Sequence, residues 1–175
     1  MQNLFEILSL PASFDLNLKT LEQHYFAAQR QWHPDRFVGK GEDMRGEAAH
    51  KSVLINDAYD TLKNPLERAK HLLELQGIFI DDETNPPPVL LMEMMELRER
   101  IHDASDDGRA LLAMVDEIKG LAAACHDALA SAFETSEYVA AQAETLRLGY
   151  LGKAMEEAHM LLYRAKANLA GRTPS

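Results

Sequence analysis

The chain has 175 residues, 46% hydrophobic and 26% charged, a composition suited to packed cores in one larger domain or two small ones. Its net charge of −10 argues against nucleic acid as the main partner, because phosphate binding relies on clustered Lys and Arg. A single cysteine, Cys125, excludes an internal disulfide and any Cys-x-x-Cys metal or redox motif, which points to a reducing cytoplasm.

No apolar run approaches the ~18 residues of a membrane helix. Helical patterning starts almost at once, without a signal or transit pattern, so the expectation is a soluble, unprocessed, intracellular chain with no membrane partner. The acidity is uneven: residues 1–75 carry 9 basic and 11 acidic side chains, residues 76–175 carry 9 and 17. The two halves are expected to face different partners.

In chain order, Asn3-Leu4-Phe5-Glu6 reads as a capping box opening a short helix that stops at Pro11. Asn17 caps a second helix whose stripe of Leu18, Leu21, Tyr25, Ala28 and Trp32 runs to His33. There Pro34 pushes His33 out of the α region and fixes its own φ, so His33-Pro34-Asp35 forms a stiff corner. Gly39 and Gly41 mark a loop over Val38–Asp43. A third helix then carries Met44, Ala48, Ile55, Ala58, Tyr59 and Leu62 on one face and stops at Asn64-Pro65. A fourth covers Leu66–Leu75 and ends at Gly77.

Helical periodicity is lost over Ile78–Pro88, where Pro86-Pro87-Pro88 favours an extended, semi-rigid linker. The acidic triplet Asp81-Asp82-Glu83 lacks the glycine and ligand spacing of a calcium loop and reads as solvated linker. Three helical segments follow, at Val89–Ala104, Gly108–Glu134 and Ser136–Leu169. The middle one repeats Leu111, Val115, Ile118, Ala122, Cys125, Leu129 and Ala132 in a coiled-coil-like rhythm, which makes Cys125 a core thiol. The last repeats Leu151, Met155, Ala158, Leu162, Ala165 and Leu169. Short connections imply antiparallel neighbours. The expected architecture is all-α: an N-terminal helical domain over 1–75, a linker over 76–88 and a three-helix bundle over 89–175.

The first bundle helix carries more apolar surface than a bundle needs. At ~100° per residue, Leu90, Met94, Leu97 and Ile101 fall within about 60° of one another and form the core stripe. Leu91, Met92 and Met95 point elsewhere, interleaved with Glu96, Glu99 and Asp103. Flexible thioethers ringed by carboxylates suit a surface that fits another protein. Packing of this face against the linker or the first domain is the competing explanation. Tyr150, flanked by Gly149 and Gly152 and off the seam of its own helix, is a candidate extension of the patch.

Seven histidines raise the question of catalysis or metal binding, yet no His-Glu-x-x-His, Gly-x-Ser-x-Gly or phosphate-cradling glycine loop is present. No catalytic residue, metal ligand or cofactor is expected.

The helix, His33-Pro34-Asp35, loop and third helix together resemble the J domain of co-chaperones. The run from Asn56 to Ala69, followed by Leu72-Leu73, and the segment from Leu91 to Glu99 resemble the HscB family across essentially the whole chain. That resemblance implies a J domain followed by a scaffold-binding bundle. It further implies a co-chaperone that delivers the iron–sulfur scaffold IscU to the DnaK-type chaperone HscA and stimulates its ATPase, with no enzyme activity of its own. By the same resemblance His33, Pro34 and Asp35 are the chaperone-triggering residues, helped electrostatically by Arg30 and Arg36. Leu91, Met92, Met95, Glu96, Glu99, Asp103 and Tyr150 would hold the scaffold. Trp32 stands where many J domains have Tyr, and Asp103 is shorter than the Glu often found there. The paired-cysteine extension of animal relatives is absent, which favours a bacterial-type protein with no metal of its own; a monomer is expected. A helical adaptor whose corner is merely structural is the alternative from another class.

Overall fold

Asn3 opens the fold by accepting the Phe5 N–H on its side-chain oxygen at 3.0 Å, while its amide donates to Glu6 Oε1 at 3.1 Å. Glu6 thus takes the Asn3 side chain rather than the backbone N–H of an ideal capping box. The structure is a computed structural model that describes residues 2–81 and 84–170, with side chains as far as Ala167. Its helices are α1 (Leu4–Ile7), α2 (Leu18–Trp32), α3 (Glu42–Lys63), α4 (Pro65–Glu74), α5 (Pro88–Asp103), α6 (Gly108–Glu134) and α7 (Tyr138–Ala170), with a 3-10 turn at Pro34–Phe37. Among the described residues there is no strand, and the all-α class read from the sequence is the observed one. The chain divides into two compact units, Met1–Phe79 and Ile80–Ser175.

In the first unit α2 and α3 run antiparallel. Tyr25 stacks on Tyr59 at 4.2 Å and donates to Asn56 Oδ1 at 3.1 Å, while Trp32 at the other end of α2 meets Lys51. Asn17 caps α2 by accepting the Thr20 N–H at 3.1 Å. Helix α3 begins at Glu42, two residues before Met44, so the expected loop is shorter. Leu18 and Met44, expected on inward stripes, stand in the first turns of their helices and remain about half exposed.

The segment before α2 supplies core that no periodicity announced: Phe5, Leu8, Leu10 and Phe14 are buried. Each such side chain contributes about 1.5–3 kcal/mol when fully buried. Polar groups fix this segment. Buried Arg68 of α4 donates to Leu62 O at 2.9 Å and to Phe14 O at 2.5 Å. Burial lowers its pKa, opposed by Asp15; an arginine stays charged regardless, which keeps both bonds in place. His71 of α4 accepts the Leu4 N–H on Nε2 at 3.1 Å and stacks on Phe5. His24 Nδ1 donates to Leu8 O at 2.7 Å. Gly77, at φ +78, ends α4 in the left-handed region that glycine tolerates.

The second unit is a three-helix bundle. Asp107 caps α6 by accepting the Arg109 and Ala110 N–H groups, which holds its carboxyl below the usual range. Leu90, Met94, Leu97 and Ile101 of α5 are buried with Leu111, Val115, Ile118, Cys125, Leu129 and Ala132 of α6. Helix α7 adds Ala141, Thr145, Leu151, Ala154, Ala158 and Leu162. Ala122, Met155 and Ala165, expected on the seam, are half-buried at its margins, and Thr145 and Ala154 take inward positions. The Leu169 side chain, Asp82 and Glu83 lie outside the described residues. Thr145 is buried at little cost because its hydroxyl donates to Ala141 O at 2.7 Å. At 1.5 Å per residue, α5 is about 24 Å long, α6 about 40 Å and α7 about 50 Å. Contacts from α5 reach α6 at Glu117 and α7 at Arg147 and Glu157, so the far end of the α6–α7 pair runs past the start of α5.

Candidate functional site

In the first unit the candidate site is the corner after α2. His33 adopts φ −61 and ψ 128, an extended backbone that ends the helix as the proline rule requires. Pro34 then begins a 3-10 turn in which no residue is buried. His33 acts as the side-chain cap of this turn: its Nδ1 accepts the Asp35 N–H at 3.3 Å. With Nδ1 accepting, the proton of the neutral ring sits on Nε2, leaving a donor directed away from the turn. The Asp35 carboxylate lies 3.6 Å from Nδ1 and is 86% exposed, so both oxygens can be reached by a partner. Arg36 is exposed, and its Nη1 donates to Arg30 O at 2.6 Å, closing an orphan carbonyl at the end of α2. Arg30 is exposed.

In the second unit the candidate site is the outer face of α5. Leu90 and Leu97 are 3% and 4% exposed, whereas Leu91, Met92 and Met95 are 45%, 63% and 64% exposed. The helix therefore has two apolar faces, one packed and one open. Glu96, Glu99 and Asp103 are exposed beside the open face. Other charges on α5 are used internally: Arg98 pairs with Glu157 at 3.1 Å, Glu93 with Arg147 at 2.9 Å, and Arg100 with Glu117. Glu99 and Asp103 form no ion pair among the described residues, while Glu96, after Glu117, helps raise the Arg100 pKa. Tyr150 is half-buried on α7 between Arg147 and Glu157, the two residues that bridge to α5, with Lys153 Nζ 5.8 Å from its ring.

Sequence reasoning missed a groove of about 540 Å³ between α5, α6 and α7, lined by the apolar Met94, Leu97, Leu121 and Leu151 and by the charged Glu93, Glu144 and Arg147. At its base the Cys125 thiol donates to Glu144 O at 3.1 Å. Burial and then Glu144 push its pKa up to about 12, so it is an inert core thiol rather than a nucleophile. Among the described residues no group of three or more His, Cys, Asp or Glu could hold a metal ion, and no helix is long and apolar enough to cross a membrane.

An exposed histidine–proline–aspartate turn on a helical hairpin, followed by a bundle with an open apolar face, defines the class of a two-part helical co-chaperone. Similarity to known proteins gives the family. A profile described as the HSCB C-terminal oligomerisation domain matches residues 86–159. The co-chaperone protein HscB homolog of Vibrio cholerae is 36% identical over 160 residues, covering 89% of this chain and 94% of the relative. HscB of Proteus mirabilis is 35% identical, with coverages of 90% and 94%. The solved chaperone HscB from Vibrio cholerae superposes with a TM-score of 0.82 at 34% identity, covering 94% of this chain and 99% of that one. The crystal structure of human co-chaperone HscB gives 0.84 at 28% identity, with coverages of 91% and 82%. The chain belongs to the HscB family of co-chaperones.

Proposed function

We propose that this protein holds the iron–sulfur scaffold IscU on the open face of α5 and prompts the DnaK-type chaperone HscA to hydrolyse ATP through the His33-Pro34-Asp35 turn. The chain contributes no hydrolytic group; the chemistry belongs to HscA. Residues 1–75 act as the J domain, 76–88 as the linker and 89–175 as the scaffold-binding bundle, in a cytoplasmic monomer. The observation that carries this reading is the split of α5 into a buried stripe and an open Leu91, Met92 and Met95 face beside unpaired carboxylates. A surface of that kind gains by covering thioethers and leucine, and its carboxylates select a partner with basic groups at the rim. Tyr150 extends the contact onto α7, and Glu96, Glu99 and Asp103 supply the rim. Asp35 and the outward Nε2 of His33 offer the chaperone one acceptor and one donor in a fixed relation, with the exposed Arg30 and Arg36 as flanking cations.

The test is HscA ATPase activity measured with wild type and with His33→Gln, alongside a titration of each against IscU. Loss of stimulation with scaffold binding retained supports the assignment of the two tasks to two sites. Equal stimulation by both proteins sinks it.

A further inference from the structure

The His33-Pro34-Asp35 turn is held almost without burial. None of Pro34–Phe37 is buried, and its ends are joined to their neighbours by Arg36 N–H to His33 O at 3.0 Å, a long Val38 N–H to Asp35 O at 3.4 Å and Lys40 N–H to Phe37 O at 3.0 Å. A turn with no buried residue depends for its placement on what grips its ends. Both ends meet one ring. Trp32 is the last residue of α2, immediately before the turn, and Phe37 closes the turn by stacking on the indole at 5.9 Å with the planes 3° apart. From α3, the Lys51 ammonium sits 3.5 Å from the centroid of the same indole. Lys51 is held there by Glu47, one turn earlier on α3, at 2.8 Å. The end of the turn and a separate helix therefore meet on Trp32.

We propose that Lys51 is a positioning residue for the chaperone-triggering turn, acting through Trp32 and Phe37 rather than by touching the chaperone. This inference rests on the triggering role proposed above. Tryptophan is the best cation–π acceptor among side chains, and a guanidinium serves as well as an ammonium. An uncharged methionine keeps a stem of similar length and loses the attraction. Loosening the clamp lowers the fraction of molecules whose turn is competent, which weakens apparent affinity without changing the response at saturation.

Lys51→Met should therefore raise the concentration needed for half-maximal HscA stimulation by roughly three- to tenfold, with the maximum unchanged. Lys51→Arg should restore it. In a Trp32→Leu background Lys51→Met should add nothing; Phe37→Leu provides the same background should the Trp32 variant fail to fold. A full additional effect in either background would mean direct contact with the chaperone and would overturn the proposal. A further readout needs no chaperone, because Trp32 is the sole tryptophan: acrylamide quenching of its emission should increase in Lys51→Met. Unchanged quenching overturns the clamp on its own. Wild-type stimulation with an unaltered half-saturation point in Lys51→Met overturns the positioning role alone, whereas absent wild-type stimulation overturns the triggering reading and Lys51's role with it.

Discussion

The two candidate sites solve the problem of presenting side chains in opposite ways. The turn after α2 gathers three adjacent residues, and their arrangement depends on local contacts: the His33 cap, backbone bonds, the Arg36 bond to Arg30 O and one indole shared by Phe37 and Lys51. The α5 face spreads its residues along nearly four helical turns, and their arrangement follows from the helix itself once the opposite stripe is buried. A site of the first kind is sensitive to single groups. A site of the second kind is sensitive to the number of groups removed and tolerant of any one.

That contrast can be broken first on α5. Leu97→Ala, on the buried stripe, should destabilise the bundle by about 2–5 kcal/mol, whereas Met95→Ala, two residues away, should stay within about 0.5 kcal/mol in urea unfolding. Equal losses would show that the outer face is core after all. His33→Gln should act on the turn as a single decisive group, reducing HscA stimulation by roughly thirtyfold or more, equivalent to about 2 kcal/mol, with the unfolding midpoint unchanged. The triple variant Leu91→Ala, Met92→Ala and Met95→Ala should weaken IscU binding by roughly tenfold in titration calorimetry, with each single change contributing a fraction. If one of the three carried the whole loss, the distributed character of the face would be wrong.

A smaller effect distinguishes the units by pH. Burial lowers the His71 pKa from its ordinary 6.5, against the opposing pull of Glu74. The folded unit thus prefers the neutral ring, which alone can accept the Leu4 N–H. Stability from this contact is fully present above pH 6.5 and is lost as pH falls below it toward the depressed folded-state value. Acid titration followed by circular dichroism should show the first unit weakening over that window and His71→Gln removing most of the dependence. The smallest expected effect lies at the α6–α7 turn, where Ser136 has φ +59. Ser136→Gly relieves that backbone and should stabilise the bundle by about 0.5–1 kcal/mol in thermal unfolding.

The regular parts of this molecule were legible because helix geometry converts spacing into direction. The angular count that separated Leu90, Met94, Leu97 and Ile101 from Leu91, Met92 and Met95 reproduces the observed burial, and Gly108–Glu134 is bounded as its pattern indicates. The candidate turn was legible through proline, whose restraint on His33 is local. What escaped is carried by contacts without a period. Phe14 reaches the core through Arg68, 54 residues later, and Leu4 is held by His71, 67 residues later. The bond from Arg36 to the end of α2 and the meeting of Lys51 with Trp32 escaped for the same reason, since each depends on where two segments lie in space.

The unequal lengths of the bundle helices grade its resistance to opening. Where α5 packs, an α6 or α7 amide is released only by dismantling three helices; beyond the start of α5, separating two is enough. Hydrogen exchange should accordingly be slowest around Ile118 and Leu151 and progressively faster toward Ala132 and Ala141, though all four side chains are buried. The hairpin end can then open repeatedly while the portion beneath α5 remains closed, so the open face of α5 keeps a steady foundation through the bundle's most frequent fluctuations.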